Sequence, residues 1–169
     1  LIKTLVLQFS DKFQCAREAA WGALSVVTNT IEKDELSEFV ETVHTSIRHC
    51  RDIAKRLQKK TDDAPSKHVI IPVLALPKAL DALSKIYLAG VLHGEEPEHR
   101  ERAAEALQLA ISCSTKEGLK AHVVTIAGPL IRVVSEKFPS SVRAALLDCL
   151  STLVEKGGIA LKPFVPQIQ

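Results

Sequence analysis

Apolar residues recur at three- and four-residue steps through most of this chain. Leu36, Phe39, Val40, Val43, Ile47, Cys50, Ala54 and Leu57 hold one helical phase, which predicts a single long helix from about Asp34 to Lys59. A second stripe, Leu119, Val123, Ile126, Leu130, Val133 and Val134, runs between Thr115 and Lys137 and contains Gly128-Pro129. Proline removes a backbone donor and crowds the preceding turn, so a kink is expected there. A third stripe, Val142, Leu146, Cys149 and Leu153, predicts a helix from Pro139 to Glu155. Pro97 and Pro139 both suit a first helical turn, where a missing N–H costs nothing. Gly157-Gly158 ends that helix before Ala160 begins another, and Pro77 to Val91 predicts one more. Thr61 to Lys67, with Asp62, Asp63, Pro65 and Ser66, reads as a loop, while Val69 to Leu76 is too broken by proline to assign.

The stripes repeat. A shift that carries Arg17 onto Arg100 also carries Ala20 onto Ala103, Leu24 onto Leu107, Leu36 onto Leu119 and Val40 onto Val123. About half that shift carries Pro97 onto Pro139, Leu107 onto Leu150, Leu119 onto Leu161 and Ile126 onto Ile168. The unit is about 42 residues, longer than tetratricopeptide or ankyrin units and within the range of HEAT and armadillo units. The fold class expected is therefore all-α: an α-solenoid of HEAT-type antiparallel helix pairs, with about eight helical segments and no strand. Residues 1–169 read as one such solenoid, irregular over about 34–76 and regular over about 77–169. Two units between the matched positions call for four helices, yet only three are found there. Ala19-Ala20 and Ala103-Ala104 mark close helix crossings, and a crossing beside Trp21 is the expected reason for Gly22 inside a helix.

Composition narrows the class. Apolar residues make up 46% and charged residues 25% of the chain, a globular balance rather than a disordered one. No apolar run reaches the ~20 residues of a membrane span. The 22 basic side chains barely exceed the 20 acidic ones, so the whole chain has no strong field for nucleic acid. Cys15, Cys50, Cys113 and Cys149 show no metal-ligand spacing and read as reduced thiols of a cytosolic or nuclear protein. The chain has no Met and opens and closes in mid-pattern, so a piece of something longer is expected.

Signatures of catalysis are missing from the sequence: it has no phosphate-binding glycine loop, no zinc motif and no nucleophile elbow. His44, His49, His68, His93, His99 and His122 are scattered and read as surface or satisfied core residues rather than ligands. No catalytic, cofactor or metal site is expected, and no enzyme activity. The one compositional anomaly runs from Arg48 to His68, where seven cations face three carboxylates. Arg48, Arg51, Lys55, Arg56, Lys59 and Lys60 are candidates for contacting an acidic protein surface or ribosomal RNA. A solvated helix end whose cations complement its dipole is the plainer alternative. Arg100 and Arg143, which recur with Arg17 near the start of equivalent helices, are weaker candidates. A structural ladder with neighbouring carboxylates suits them better.

Arg17-Glu-Ala-Ala-Trp-Gly-Ala-Leu24 resembles the inner-helix signature of HEAT repeats. Val123-Val-Thr-Ile-Ala-Gly-Pro-Leu-Ile-Arg132 and Gly158-Ile-Ala-Leu-Lys-Pro-Phe-Val-Pro-Gln-Ile168 are more particular. They resemble the C-terminal half of the Gcn-family translational activators, giant HEAT-repeat partners of the amino-acid-starvation kinase. The resemblance implies a cytoplasmic, non-enzymatic scaffold without cofactor, membrane or small-molecule substrate. Its implied partners are the kinase's RWD domain and, through the full-length protein, the ribosome, leading to phosphorylation of initiation factor two alpha. Two alternatives stay open. One is a ribosome- or nucleic-acid-contacting segment like that of the fungal elongation-factor ATPase; the other is a generic transport or phosphatase scaffold unit.

Overall fold

The computed structural model describes residues 1–58, 69–76, 79–164 and 166. Among them are eight α-helices and no strand: α1 (Ile2–Leu7), α2 (Gln14–Thr28), α3 (Leu36–Gln58), α4 (Ala79–His93), α5 (Pro97–Ser112), α6 (Lys116–Lys120), α7 (Val123–Val134) and α8 (Ser140–Gly157). Three 3-10 helices, Gln8–Ser10, Pro72–Ala75 and Gly158–Phe164, complete the path. The long helix read from the Leu36-to-Leu57 stripe is α3, and Pro97 opens α5 in its first turn. Gly158 ends α8 at φ +50°, a left-handed backbone that suits glycine. The chain then continues as a 3-10 helix rather than as the further α-helix expected from Ala160. The predicted loop at Thr61–Lys67 lies outside the described residues.

The helices stack in two layers. α1, α3, α5 and α8 touch in that order, and α2, α4, α7 and the terminal 3-10 helix touch in that order. No helix buries its apolar stripe alone; each unit is completed by the next, as in a solenoid. One continuous core results, from Val6 and Phe9 through Ile47, Leu80, Leu83 and Leu107 to Ile126, Leu146 and Leu153. Trp21 ties the layer of α2 and α4 by donating from Nε1 to the Ala79 carbonyl at 3.1 Å.

The sequence repeat and the layers disagree at one place. The longer shift equates α2 with α5, but α2 packs beside α4 while α3 packs beside α5. Among the described residues only the 3-10 helix Pro72–Ala75 and α4 lie between α3 and α5, where the period calls for a helix pair. An odd number of helices reverses the alternation, so sequence-equivalent helices fall in opposite layers. The 3-10 helix fills the vacant place with buried Val73 and Leu74, and Ile71 before it is buried too. Ile71 N–H donates to the Cys113 carbonyl at 3.0 Å, which pins this segment to the end of α5.

Small residues act as expected at one crossing and not at another. A Cβ on Gly90 would stand 2.8 Å from the Ala103 Cβ, so α4 and α5 meet there with nothing to spare. Gly22, in contrast, has no neighbour within 4 Å of a built Cβ, and Ala19 is exposed. The close crossing expected beside Trp21 is absent at Gly22, because that side of α2 faces solvent. α7 continues through Pro129, where the kink is expected, and the apolar stripe is also broken earlier, at Ala121-His122 between α6 and α7. The carbonyl that loses its donor belongs to exposed Thr125, which water can serve.

Candidate protein-interaction surface

Helices α3 and α5 lie side by side and parallel, so their charges gather at two opposite ends of one layer. At the N-terminal end, Glu38, Glu41 and Glu98 line a groove of about 420 Å³ with Ser37, His99 and Arg102. Arg102 bridges the helices there, pairing with Glu41 at 2.9 Å and with Glu105 at 2.8 Å. Carboxylates at helix starts and cations at helix ends both complement the helix dipoles.

The opposite end carries the cations of the sequence anomaly. Arg48 is exposed and holds His44 Nε2 through its Nη2 at 2.9 Å. Arg51, half-buried, pairs with Asp52 at 2.9 Å. Lys55 and Arg56 are exposed in the last turn of α3. Lys59 and Lys60 lie outside the described residues. Arg51 and Lys55 both stand within electrostatic reach of the Cys113 thiol at the end of α5, as does Lys156. Lys116 on α6 stands within reach of Lys156 in turn. The cations of α3 therefore stand beside the C-terminal end of α5, a proximity that sequence reasoning missed.

Lys156 itself is buried. Its ammonium donates to the carbonyls of Ile111 at 3.1 Å, Ser112 at 2.5 Å and Ser114 at 2.7 Å. The Ile111 and Ser112 carbonyls close α5 and that of Ser114 follows it; Ile111 also accepts from Ser114 N–H and Oγ, and the α8 side chain completes the cap of a helix in the preceding unit. Burial lowers the Lys156 pKa from its ordinary value. The sequence does hold a signal for this residue: it extends the apolar stripe of α8 beyond Leu153.

Arg100 is occupied with structure. Its Nη1 donates to the Val91 and Leu92 carbonyls at 2.7 and 2.9 Å, and its guanidinium lies 5.0 Å from the Phe138 ring centre. Arg17 likewise donates to the Asp11 carbonyl at 2.7 Å. Both make the structural contacts expected, but to backbone carbonyls rather than to carboxylates. Arg143 is exposed on α8, beside Ala144 and Leu147, far along the stack from the α3 cations.

Among the described residues the remaining titratable groups do not form a reactive constellation. No group of three His, Cys, Asp or Glu among the described residues could hold a metal ion. The four cysteines are unbridged, and burial pushes the Cys50, Cys113 and Cys149 thiols up, Cys149 to about 12. Such thiols are poor nucleophiles. His44 is buried in α3, and burial first, then Arg48, lowers its pKa to about 4. No helix among the described residues is long and apolar enough to cross a membrane.

Comparison with known proteins adds what geometry alone does not. The family described as "Stalled ribosome sensor GCN1-like, HEAT repeats" matches residues 1–78. The Arabidopsis thaliana protein ILITYHIA is 36% identical over 169 residues, covering 100% of this chain and 6% of its own. The Homo sapiens stalled ribosome sensor GCN1 is 36% identical over 170 residues, again 100% of this chain and 6% of its own. The Saccharomyces cerevisiae eIF-2-alpha kinase activator GCN1 is 30% identical over 168 residues, covering 97% of this chain and 6% of its own. The chain thus spans about 6% of the length of the curated relatives it matches. No solved structure matches the chain at a significant level.

Proposed function

The chain belongs to the GCN1-like HEAT-repeat family, and on that premise we propose that it is a non-catalytic scaffold segment of a ribosome-associated translational activator. The observation that carries this reading is the end-to-end alignment with relatives named as stalled-ribosome sensors and kinase activators. Residues 1–169 act as one solenoid segment in the cytoplasm, with no cofactor and no small-molecule substrate. The partner is the RWD domain of the starvation-response kinase, whose activation leads to phosphorylation of initiation factor two alpha. The ribosome is met through the full-length protein. Arg48, Arg51, Lys55 and Arg56, with Lys59 and Lys60, form the docking surface, while Arg143 is a secondary contact. Arg100 holds α4 to α5 instead.

Retention of this chain by an immobilised RWD domain tests the reading, without nucleotide or metal. Reversing Arg48, Arg51, Lys55 and Arg56 to Glu together is expected to weaken retention about fivefold at low salt, where screening is weakest. No retention of the native chain at ~50 mM salt would overturn the proposal. Retention unchanged by the reversal would move the docking surface elsewhere on the stack.

A further inference from the structure

The starts of α3 and α5 enclose more than the groove that Glu38, Glu41 and Glu98 line. A second hollow of about 110 Å³ lies between the start of α3 and the end of α4, and Ser37, Val40 and His99 line both. The two form one furrow, whose walls come from residues 33–41 and 90–102. It runs from Arg102 on α5, past the first turns of α3, to Gly90 and Gly94 at the end of α4. Its apolar lining is buried Val40 and half-buried Leu36.

We propose that this furrow is a docking site for an arginine- or lysine-rich segment of a partner protein. The proposal goes beyond the scaffold reading and concerns the end of α3 opposite its cations. Asp34, Glu38, Glu41, Glu95 and Glu98 line the furrow against two cations, Lys33 and Arg102. Arg102 is engaged with Glu41 and Glu105. Glu38 and Glu98 are exposed and have no ion pair or hydrogen bond among the described residues. Helix dipoles account for carboxylates in a first turn, but the effect fades beyond it and explains neither Glu41 nor the hollow between the helices.

The sign of the furrow excludes a nucleic-acid backbone, whose phosphates these carboxylates repel. No group of three His, Cys, Asp or Glu among the described residues is placed to hold a metal ion. An arginine or lysine fits both parts of the lining: its aliphatic stem lies on Val40 and Leu36 while its charged head meets Glu38 or Glu98. Ser37, His93 and His99 add hydrogen-bonding groups that suit a peptide backbone and have no counterpart in a polyamine. Glu38 and Glu98 stand on two helices a spacing of about 8–10 Å apart, so a segment with several cations matches the furrow better than one cation does.

Binding of fluorescent hexaarginine to the whole 169-residue chain tests this. The peptide is expected to bind, with an affinity that falls as salt rises. Glu38→Gln with Glu98→Gln is expected to weaken binding about fivefold at ~50 mM salt. Glu117→Gln with Glu136→Gln, an equal charge change at exposed carboxylates outside the furrow, is expected to alter it less than twofold. Ser37→Phe fills the furrow without changing charge and is expected to weaken binding about as much as the first pair. Equal weakening by both glutamine pairs would reduce the effect to net charge and overturn the proposal. Full binding by a folded Ser37→Phe variant would place the peptide outside the furrow and overturn it too. Should that variant fail to fold, the two glutamine pairs, close in shape to the native residues, decide alone. Spermine displacing the peptide as well as unlabelled hexaarginine at equal charge would make the furrow a polyamine site, which also overturns the proposal. Retention by an RWD domain is expected to survive Glu38→Gln with Glu98→Gln, so the two readings fail separately.

Discussion

The Lys156 ammonium lies 2.7 Å from the Ser114 carbonyl, a residue 42 positions earlier that is itself fully buried. The contact joins one unit of the stack to the next through a charge inside the core. Lys156→Met keeps the aliphatic stem and removes three charge-assisted donors. The Ser112 and Ser114 carbonyls would then lose this donor, while Ile111 keeps the Ser114 N–H and hydroxyl, at a cost of about 2–3 kcal/mol in urea unfolding. A loss below about 0.5 kcal/mol would mean that water replaces the ammonium.

Two glycines in helix interiors should respond to the same substitution with opposite signs. Gly22→Ala meets open space and improves helix propensity, so stability should rise by about 0.5–1 kcal/mol. Gly90→Ala drives a Cβ to within 2.8 Å of the Ala103 Cβ and should cost about 1–3 kcal/mol. Equilibrium unfolding of both variants measures this. A destabilising Gly22→Ala would show that α2 carries a contact on its exposed side.

Adjacent leucines on α8 give a third comparison. Leu146 is fully buried and Leu147 is 56% exposed. Leu146→Ala should cost about 2–5 kcal/mol through lost burial and a residual cavity. Leu147→Ala should fall within about 0.5 kcal/mol of the native chain. Thermal or urea unfolding yielding similar losses for both would overturn the assignment of the α8 face.

How far these features are legible in sequence depends on whether their cause is local. α3 is legible because its apolar positions share one face from Leu36 onward, and α8 because Leu146, Cys149 and Leu153 do the same. The family is legible in the motifs that begin at Arg17, Val123 and Gly158. The exchange of layers is not, since a repeat reports which helices are alike and not which ones touch. The 3-10 helix at Pro72–Ala75 has no period of its own and is held by non-local burial of Val73 and Leu74. The basic end of α3 is half legible: Arg48, Arg51, Lys55 and Arg56 form a run, but its place beside the end of α5 is set by packing. His44 reads as an ordinary histidine until its burial is known.

That burial makes His44 an acid-sensitive element. The ring is 3% exposed; Nε2 meets Arg48, and Nδ1 has no hydrogen-bond partner. Glu41 favours the charged ring, but burial, Arg48, Arg102 and Arg51 oppose it, and the pKa falls from 6.5 to about 4. A histidine whose folded pKa is depressed binds its proton more readily when unfolded. Its contribution is therefore fully present above pH 6.5 and is lost as pH falls from there toward about 4. The loss is at most about 3 kcal/mol across that window. His44→Gln cannot titrate, so its stability should change less between pH 7 and pH 4.5, even if the variant starts lower at pH 7. Urea midpoints for both proteins at the two pH values decide the matter. Parallel declines would place the acid sensitivity in the carboxylates of the opposite end and leave His44 without a role in it.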